Sequence, residues 1–386
     1  MISREAAQHI QQLMQWFPAV AITGPRQSGK TTLAKALFKN FEYLNLEIKG
    51  LRDEASADPF EFINARPGNL IIDEAQLVPD LFSAIQVVSD KRNTPGQYVL
   101  SGSQNFLLSK SVNQSLAGRC AYVDLMPLTF SEVLSTNENT SVFEYAFRGG
   151  YPRMYDRNIP PKFYFEEYVR TYCERDVKNY LDVRNLSSFQ KLLSILASQV
   201  GNLVNVTNIS KSCGVSRNTI SEWLSMLDAS YVIFRLQPFF ENTKKRLTKT
   251  PKLFFFDTGL LCYLLGIDSA DDLRLHAQKG AIIENLVISE TFKKHRNAGV
   301  QPRLFFYRDD SKQEIDLLDF SDQKNRKAFE IKSTSVYNKK FARTLEKVCP
   351  AISVEKENQT VLINHSNSYK SQGTNVGSIE QYLKGV

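Results

Sequence analysis

Short apolar runs alternate along the chain with segments of helical spacing. Residues 3–16 read as an amphipathic helix, and Ala19-Val20-Ala21-Ile22-Thr23 as a buried, β-branched strand. Thr32 to Phe38 returns to helical spacing, and Tyr43 to Leu46 predicts a second strand. Leu51 to Phe62 is mixed and helical in part. Asn69-Leu70-Ile71-Ile72 is a further apolar run. Leu81, Phe82, Ile85 and Val88 mark one face of a helix from about Asp80 to Lys91, and Gln97 to Ser101 predicts another strand. Strands alternating with helices imply an α/β fold with a parallel sheet.

Residues 140–186 carry Tyr, Phe, Arg and Glu at helical spacing. Leu192, Leu193, Ile195 and Leu196 lie in a helix from Ser188 to Val200, and Thr207 to Cys213 forms a short second helix. Gly214-Val215 makes a turn, and Ser216 caps a third helix through Leu227. Tyr231–Leu236 and Lys252–Phe256 read as strands. A helix from Lys279 to about Lys294 is then followed by strands at Leu304–Arg308, Glu314–Leu318 and Ala328–Lys332. The tail after Asn364 is polar and reads as loose apart from a short end helix.

The clearest chemistry lies between the first strand and the helix after it. Gly24-Pro25-Arg26-Gln27-Ser28-Gly29-Lys30-Thr31 has the spacing G-x-x-x-x-G-K-[ST], followed by Thr32. Glycines let backbone N–H groups curl around phosphate oxygens, and the helix N-terminus adds partial positive charge. Lys30 would reach the β- and γ-phosphates of ATP, and the Thr31 hydroxyl would hold Mg²⁺. A chance glycine loop would not sit between a strand and a helix. The apolar run ending in Asp73-Glu74 has the Walker B pattern, with Asp73 for Mg²⁺ and Glu74 to orient or deprotonate water. Ser103 or Gln104, after the strand at Gln97–Ser101, is placed to sense the γ-phosphate; ordinary turn chemistry explains the Ser-Gly-Ser equally well.

Composition narrows the classes. The chain has 386 residues, enough for two or three domains. No apolar run approaches the ~18 residues of a membrane span. The N-terminus leads into an amphipathic segment rather than a signal peptide. Five scattered cysteines and four histidines argue against a disulfide framework or a His-based metal site and favour a reducing cytoplasm. The net charge of +7 permits a polyanionic partner.

The P-loop, Ile71-Ile72-Asp73-Glu74-Ala75-Gln76, Leu100-Ser101-Gly102-Ser103-Gln104 and Ser115-Leu116-Ala117-Gly118-Arg119 occur in that order. Met126-Pro127-Leu128-Thr129-Phe130-Ser131-Glu132, Gly149-Gly150-Tyr151-Pro152 and Glu174-Arg175-Asp176-Val177 follow. Over nearly the whole chain this resembles a prokaryotic family of AAA+-type ATPases with a long C-terminal domain. The resemblance implies ATP hydrolysis and a homo-oligomer, such as a hexameric ring. In such rings a neighbour's arginine stabilises transition-state charge. Arg119 is the first candidate and Arg175 the second, with a structural ion pair as the alternative for either.

The helices and strands of residues 187–257 form a winged-helix pattern. Arg217, Asn218, Thr219 and Ser221 would face DNA, and the basic loop of Lys244, Lys245, Arg246, Lys249 and Lys252 would neutralise phosphates. A lid or a protein dock is the competing reading.

Farther on, Glu284, Asp316, Glu330 and Lys332 have the order Glu … Asp … Glu-x-Lys, which resembles restriction-endonuclease-like nucleases, including Holliday-junction resolvases. Two carboxylates sharing a face can hold Mg²⁺ while a lysine stabilises the attacking hydroxide. Many of these nucleases have Pro-Asp where this chain has Ile315-Asp316. Such a fold can also persist as a binding module. Basic residues surround the region, among them Lys293, Lys294, Arg296, Arg303, Lys324, Arg326, Lys327, Lys339, Lys340 and Arg343, and favour nucleic acid over a membrane.

These readings divide the chain into an AAA+-type domain (1–135), a helical connector (136–186), a winged helix (187–275) and a restriction-endonuclease-like domain (276–386). The function expected is an ATP-driven motor or clamp on branched or junction DNA. An ATP-gated, Mg²⁺-dependent nuclease and an ATPase switch that binds protein partners are the alternatives.

Overall fold

A computed structural model of the chain describes residues 2–102, 116–172, 186–239 and 249–385. These form two compact units. The first comprises residues 2–127 together with 229–231 and 296–299, and the second takes the remainder.

In the first unit five parallel strands are described: β1 (Ala19–Thr23), β2 (Glu42–Asn45), β3 (Leu70–Asp73), β4 (Tyr98–Ser101) and β5 (Cys120–Asp124). Their spatial order is β2-β3-β4-β1-β5. Successive side chains point to opposite faces. Ala19, Ala21, Leu70, Ile72, Tyr98 and Leu100 therefore pack with Phe62, Ile63, Phe82 and Ile85 on one face. Val20, Ile22, Ile71, Val99 and Val123 pack with Ile10, Leu13, Leu33 and Ala34 on the other. With both faces covered, β1, β3 and β4 are buried throughout and read as continuous apolar runs, while the outer strands β2 and β5 are partly exposed. The mixed stretch after Leu46 resolves into two helices, Lys49–Ala57 and Pro59–Asn64, divided where Asp58 accepts a hydrogen bond from Glu61 N. β5 was not predicted, because Cys120-Ala121-Tyr122-Val123-Asp124 has neither strict alternation nor a wholly apolar run.

The late segments join this unit through Asp124. Its carboxylate accepts hydrogen bonds from Thr23 and Tyr231 and lies 3.5 Å from the Arg296 guanidinium. Asn297 Nδ2 donates to Glu5 Oε2 at 3.0 Å.

The second unit carries the helices Leu186–Ser198, Val206–Cys213 and Arg217–Ala229, then β6 (Ile233–Pro238) and β7 (Lys252–Phe255), which pair antiparallel. Ser216 Oγ accepts from Thr219 N at 3.1 Å, capping the third of these helices as the sequence predicts. The helix Lys279–Asn297 leads to β8 (Leu304–Arg308), β9 (Glu314–Asp319), β10 (Lys327–Lys332), β11 (Gln359–Ile363), β12 (Tyr369–Ser371) and β13 (Thr374–Ser378). Among the described residues these strands form one sheet in the order β12-β13-β11-β10-β9-β8-β6-β7. The sheet is thus continuous across residue 275, because β6 pairs parallel with β8. The tail after Asn364 is not loose. β13 pairs parallel with β11, and Val376, Ile379 and Leu383 are buried.

Two of the lysines expected at the surface are interior. Lys293, 2 % exposed, lies 2.8 Å from the fully buried Glu290. Glu290 also accepts from Phe130 N and Tyr145 Oη, each at 2.8 Å. Nearby, the buried Asp257 accepts from Gly150 N at 2.7 Å and Leu260 N at 3.0 Å. A Cβ at Gly150 would lie 2.2 Å from Leu128 O, so the Gly-Gly-Tyr-Pro stretch needs glycine there for close approach. The other interior lysine, Lys252, belongs to the second candidate site below.

Replacing Glu290 by Ala leaves Lys293 buried without its counter-charge and Phe130 N without its acceptor, while Tyr145 Oη keeps Leu128 O at 2.6 Å. Urea unfolding is expected to show a loss of about 3–5 kcal/mol. A loss below about 1 kcal/mol would mean the network is incidental.

Candidate functional site

The first site is built at the carboxyl ends of parallel strands, where loops converge. After β1 the chain turns through Gly24, whose φ of +131° only glycine adopts readily. A Cβ there would also lie 2.2 Å from Leu125 O. Lys30 opens the helix Lys30–Leu37, and its ammonium donates to Gly24 O at 3.0 Å and Pro25 O at 2.8 Å. The charge is thereby held at the loop. Ser28 Oγ is fully buried in the same loop and has no hydrogen-bond partner. An orphaned hydroxyl beside an ammonium and a helix N-terminus is the donor set that fits a nucleotide phosphate.

Asp73 ends β3 and gathers the neighbouring strands. Its Oδ2 accepts from Thr31 Oγ1 at 2.8 Å and Tyr43 Oη at 2.9 Å. Its Oδ1 accepts from Ser101 Oγ at 2.5 Å and Glu74 N at 3.2 Å. Thr31 and Asp73, the pair expected to hold Mg²⁺, are thus already in contact. Glu74 follows in a left-handed backbone conformation, φ +54°, and its carboxylate accepts from Gln76 Nε2 at 2.5 Å. Burial, reinforced by the charge of Asp73, raises the Tyr43 phenol well above its usual range, so it remains a donor.

The other predicted residues fall variously. Arg26 is half-buried, and Gln27 and Thr32 are exposed at the P-loop. Arg119 forks onto Asp90 of the same unit, with Nε and Nη2 at 2.6 and 2.9 Å from its carboxylate oxygens. Ser103, Gln104 and Arg175 lie outside the described residues. Four residues were missed. Tyr43 and Ser101 hold Asp73, Gln76 holds Glu74, and Arg4 donates to Ser28 O at 2.8 Å and Met126 O at 2.6 Å. Ser101 left a readable trace, as a polar residue closing an apolar strand. Arg4 left none, because its partners are backbone carbonyls.

In the second unit Arg217 and Asn218 are exposed at the start of their helix, and Thr219 is half-buried, its hydroxyl 2.8 Å from Ser216 Oγ. Lys244, Lys245 and Arg246 lie outside the described residues, and Lys249 is exposed. Lys252 is not on a basic loop surface. It begins β7, is 2 % exposed, and lies 2.9 Å from Glu284 and 2.6 Å from Glu314. Buried carboxylates, not phosphates, take its charge.

Asp316, Glu330 and Lys332 are brought together. Lys332 Nζ lies 2.7 Å from Glu330 and 3.3 Å from Asp316. Asp316 Oδ2 also accepts from Ile331 N at 2.8 Å. Glu330 Oε2 is buried without a hydrogen-bond partner. Burial, then the nearby Asp316 charge, pushes the carboxyls of Glu284 and Glu330 well above the ordinary glutamate range. Burial alone would lower Lys252, but Glu284, Glu314 and Asp316 outweigh it and hold its ammonium charged. Among the described residues, no three His, Cys, Asp or Glu side chains are grouped so as to hold a metal ion.

A parallel sheet with a phosphate loop, a lysine and an Asp-Glu pair at its carboxyl ends is the core of a P-loop ATPase. The family model described as an AAA domain matches residues 17–134, and two domains of unknown function, DUF8612 and DUF4143, match 139–271 and 279–382. Uncharacterized proteins of Mycobacterium bovis and Mycobacterium tuberculosis are each 32% identical to this chain over 338 residues, covering 86% of it and 74% of theirs. The chain belongs to their family. An uncharacterized protein of Methanocaldococcus jannaschii is 27% identical over 336 residues, covering 78% of this chain and 72% of its own. Similar solved structures include a Walker-type ATPase of Pyrococcus abyssi, 16% identical, covering 68% of this chain and 96% of that one, at a TM-score of 0.45. Another is the RuvB Holliday junction branch migration motor of Thermotoga maritima, 19% identical, covering 61% and 90%, at 0.29.

Tyr43→Phe removes one donor from Asp73 and leaves its other contacts. Affinity for a fluorescent ATP analogue with Mg²⁺ is expected to fall about 3- to 10-fold, the worth of one hydrogen bond. Affinity in EDTA should be unchanged. An equal loss in both conditions would place Tyr43 in general folding rather than at the metal.

Proposed function

We propose that this chain hydrolyses ATP and couples turnover to structured DNA as a homo-oligomer. The observation that carries the reading is the contact of Thr31 with Asp73 beside Lys30 and Glu74. Lys30, Ser28 and the loop N–H groups would hold the phosphates, and Thr31 and Asp73 would hold Mg²⁺. The bound ion neutralises phosphate charge. Glu74, restrained by Gln76, is placed to orient a water molecule and accept its proton. Arg119 remains the candidate for a neighbouring subunit's site; its exposed ion pair with Asp90 is weak enough to exchange for a phosphate partner.

DNA as the partner is supported by the exposed Arg217 and Asn218 at the start of a helix and by the net charge of +7. We read the three helices with β6 and β7 as a winged helix. The helix Lys279–Asn297 with β8 to β11 we read as restriction-endonuclease-like, an antiparallel set extended by a parallel strand. No helix among the described residues is long and apolar enough to cross a membrane. Cys120, Cys213, Cys262 and Cys349 are free and buried, in keeping with a cytoplasmic setting.

Steady-state ATP hydrolysis, measured with single-stranded, duplex, forked and four-way-junction DNA at matched phosphate concentration, tests this. Glu74→Gln and Lys30→Ala should each lower turnover by about 100-fold or more. One branched substrate should stimulate the wild type several-fold. Wild-type rates in Lys30→Ala would end the ATPase reading. Indifference to every DNA would end the DNA reading and leave a protein-binding switch.

A further inference from the structure

We propose that Lys252 is a built-in cation that stands in for a divalent metal ion at the carboxylate cluster of the second unit, so that this cluster binds no Mg²⁺.

The order Glu … Asp … Glu-x-Lys raises the expectation of a metal site, and the side chains do not fit one. A metal-binding pair of carboxylates must turn free oxygens toward a common point. Here each acidic group is already engaged. Glu284 Oε1 and Glu314 Oε1 are bound to the Lys252 ammonium, and Glu314 Oε2 is 3.2 Å from Arg308 Nη1. Asp316 Oδ2 is held by Ile331 N and Lys332. Glu330 Oε1 is held by Lys332 as well. Lys252 is the decisive member. It comes from β7, over thirty residues before Glu284 in sequence, and its side chain is 3% exposed. Its backbone is fixed too, since Gly201 N donates to Leu253 O at 2.8 Å and Leu253 N to Asn202 O at 3.0 Å. An ammonium between two carboxylates supplies positive charge where a metal would, one unit rather than two, without the open coordination position that activates water. Glu284, Asp316 and Glu330 each keep one oxygen outside these contacts, but with the Lys252 and Lys332 ammonium groups seated on their partners the carboxylates are not grouped so as to hold a metal ion. This inference is independent of whether the chain binds DNA or hydrolyses ATP. It removes cleavage from what the cluster can do and leaves recognition.

Mn²⁺ serves as the probe, with bound ion counted by the electron paramagnetic resonance of free Mn²⁺ in nucleotide-free, full-length protein. Wild type and Asp316→Asn are expected to bind Mn²⁺ equally. Lys252→Met, which keeps the stem and removes the charge, should gain one Mn²⁺ at least about tenfold tighter than any wild-type site. Adding Asp316→Asn to it should abolish the gain. A wild-type Mn²⁺ that disappears in Asp316→Asn would overturn the proposal, as would a folded Lys252→Met that gains none. If Lys252→Met does not fold, the comparison of wild type with Asp316→Asn decides alone. Because all proteins in the series keep Thr31 and Asp73 intact, a failure here does not touch the ATPase reading.

Discussion

The carboxylate of Asp73 accepts from four groups that come from different parts of the first unit. Thr31 belongs to the phosphate loop, Tyr43 to β2, Ser101 to β4, and the Glu74 amide to the turn after β3. A charge at the inner end of a parallel sheet is costly unless it is bonded, and each hydrogen bond to a charged group is worth about 1.5–3 kcal/mol. The arrangement therefore fixes three adjacent elements at the point where the ligand crevice must form. Most of the first unit can be seen as scaffolding for that point. Apolar faces set β1, β3 and β4 side by side, and Arg4 ties the phosphate loop back to the main chain at Met126.

Much of this first site was legible in the residues. A glycine loop between strand and helix, and an apolar run ending in Asp-Glu, are local patterns whose chemistry depends on neighbours in sequence. Tyr43 and Ser101 were not legible as Asp73 partners, because their contact depends on register: Asn45 sits opposite Asp73 on one side and Ser101 on the other. Strands also escaped notice where their pattern was weak. β5 and β13 are defined by the strands they lie against rather than by their own periodicity, and Gly377 in β13 is a poor strand former taken alone, whereas β11 carries a readable, largely β-branched run, Thr360 to Ile363.

Counting charge proved least reliable. Lys252 and Lys293 were grouped with basic residues available to a polyanion, yet both are interior and bonded to carboxylates. Sequence proximity favoured the surface reading for Lys252, since the residues before it are basic and polar, although Leu253 to Phe256 after it are apolar. What decides its place is Glu284 and Glu314, more than thirty residues away, which no local window contains. Glu284, Asp316, Glu330 and Lys332 were found as residues, but the cation among them was not.

The first unit is discontinuous, and this bears on how the chain emerges from the ribosome. Domains usually fold in turn as they are synthesised, the N-terminal one first. Here Asp124 takes hydrogen bonds or an ion pair from Tyr231 and Arg296, and Glu5 one from Asn297. The nucleotide-binding half is thus still missing its last contacts when translation passes residue 127. At about 5–20 residues per second, the wait for residue 299 is on the order of ten seconds or more. A unit that is begun first on the ribosome is thus completed only when residues 229–231 and 296–299 arrive.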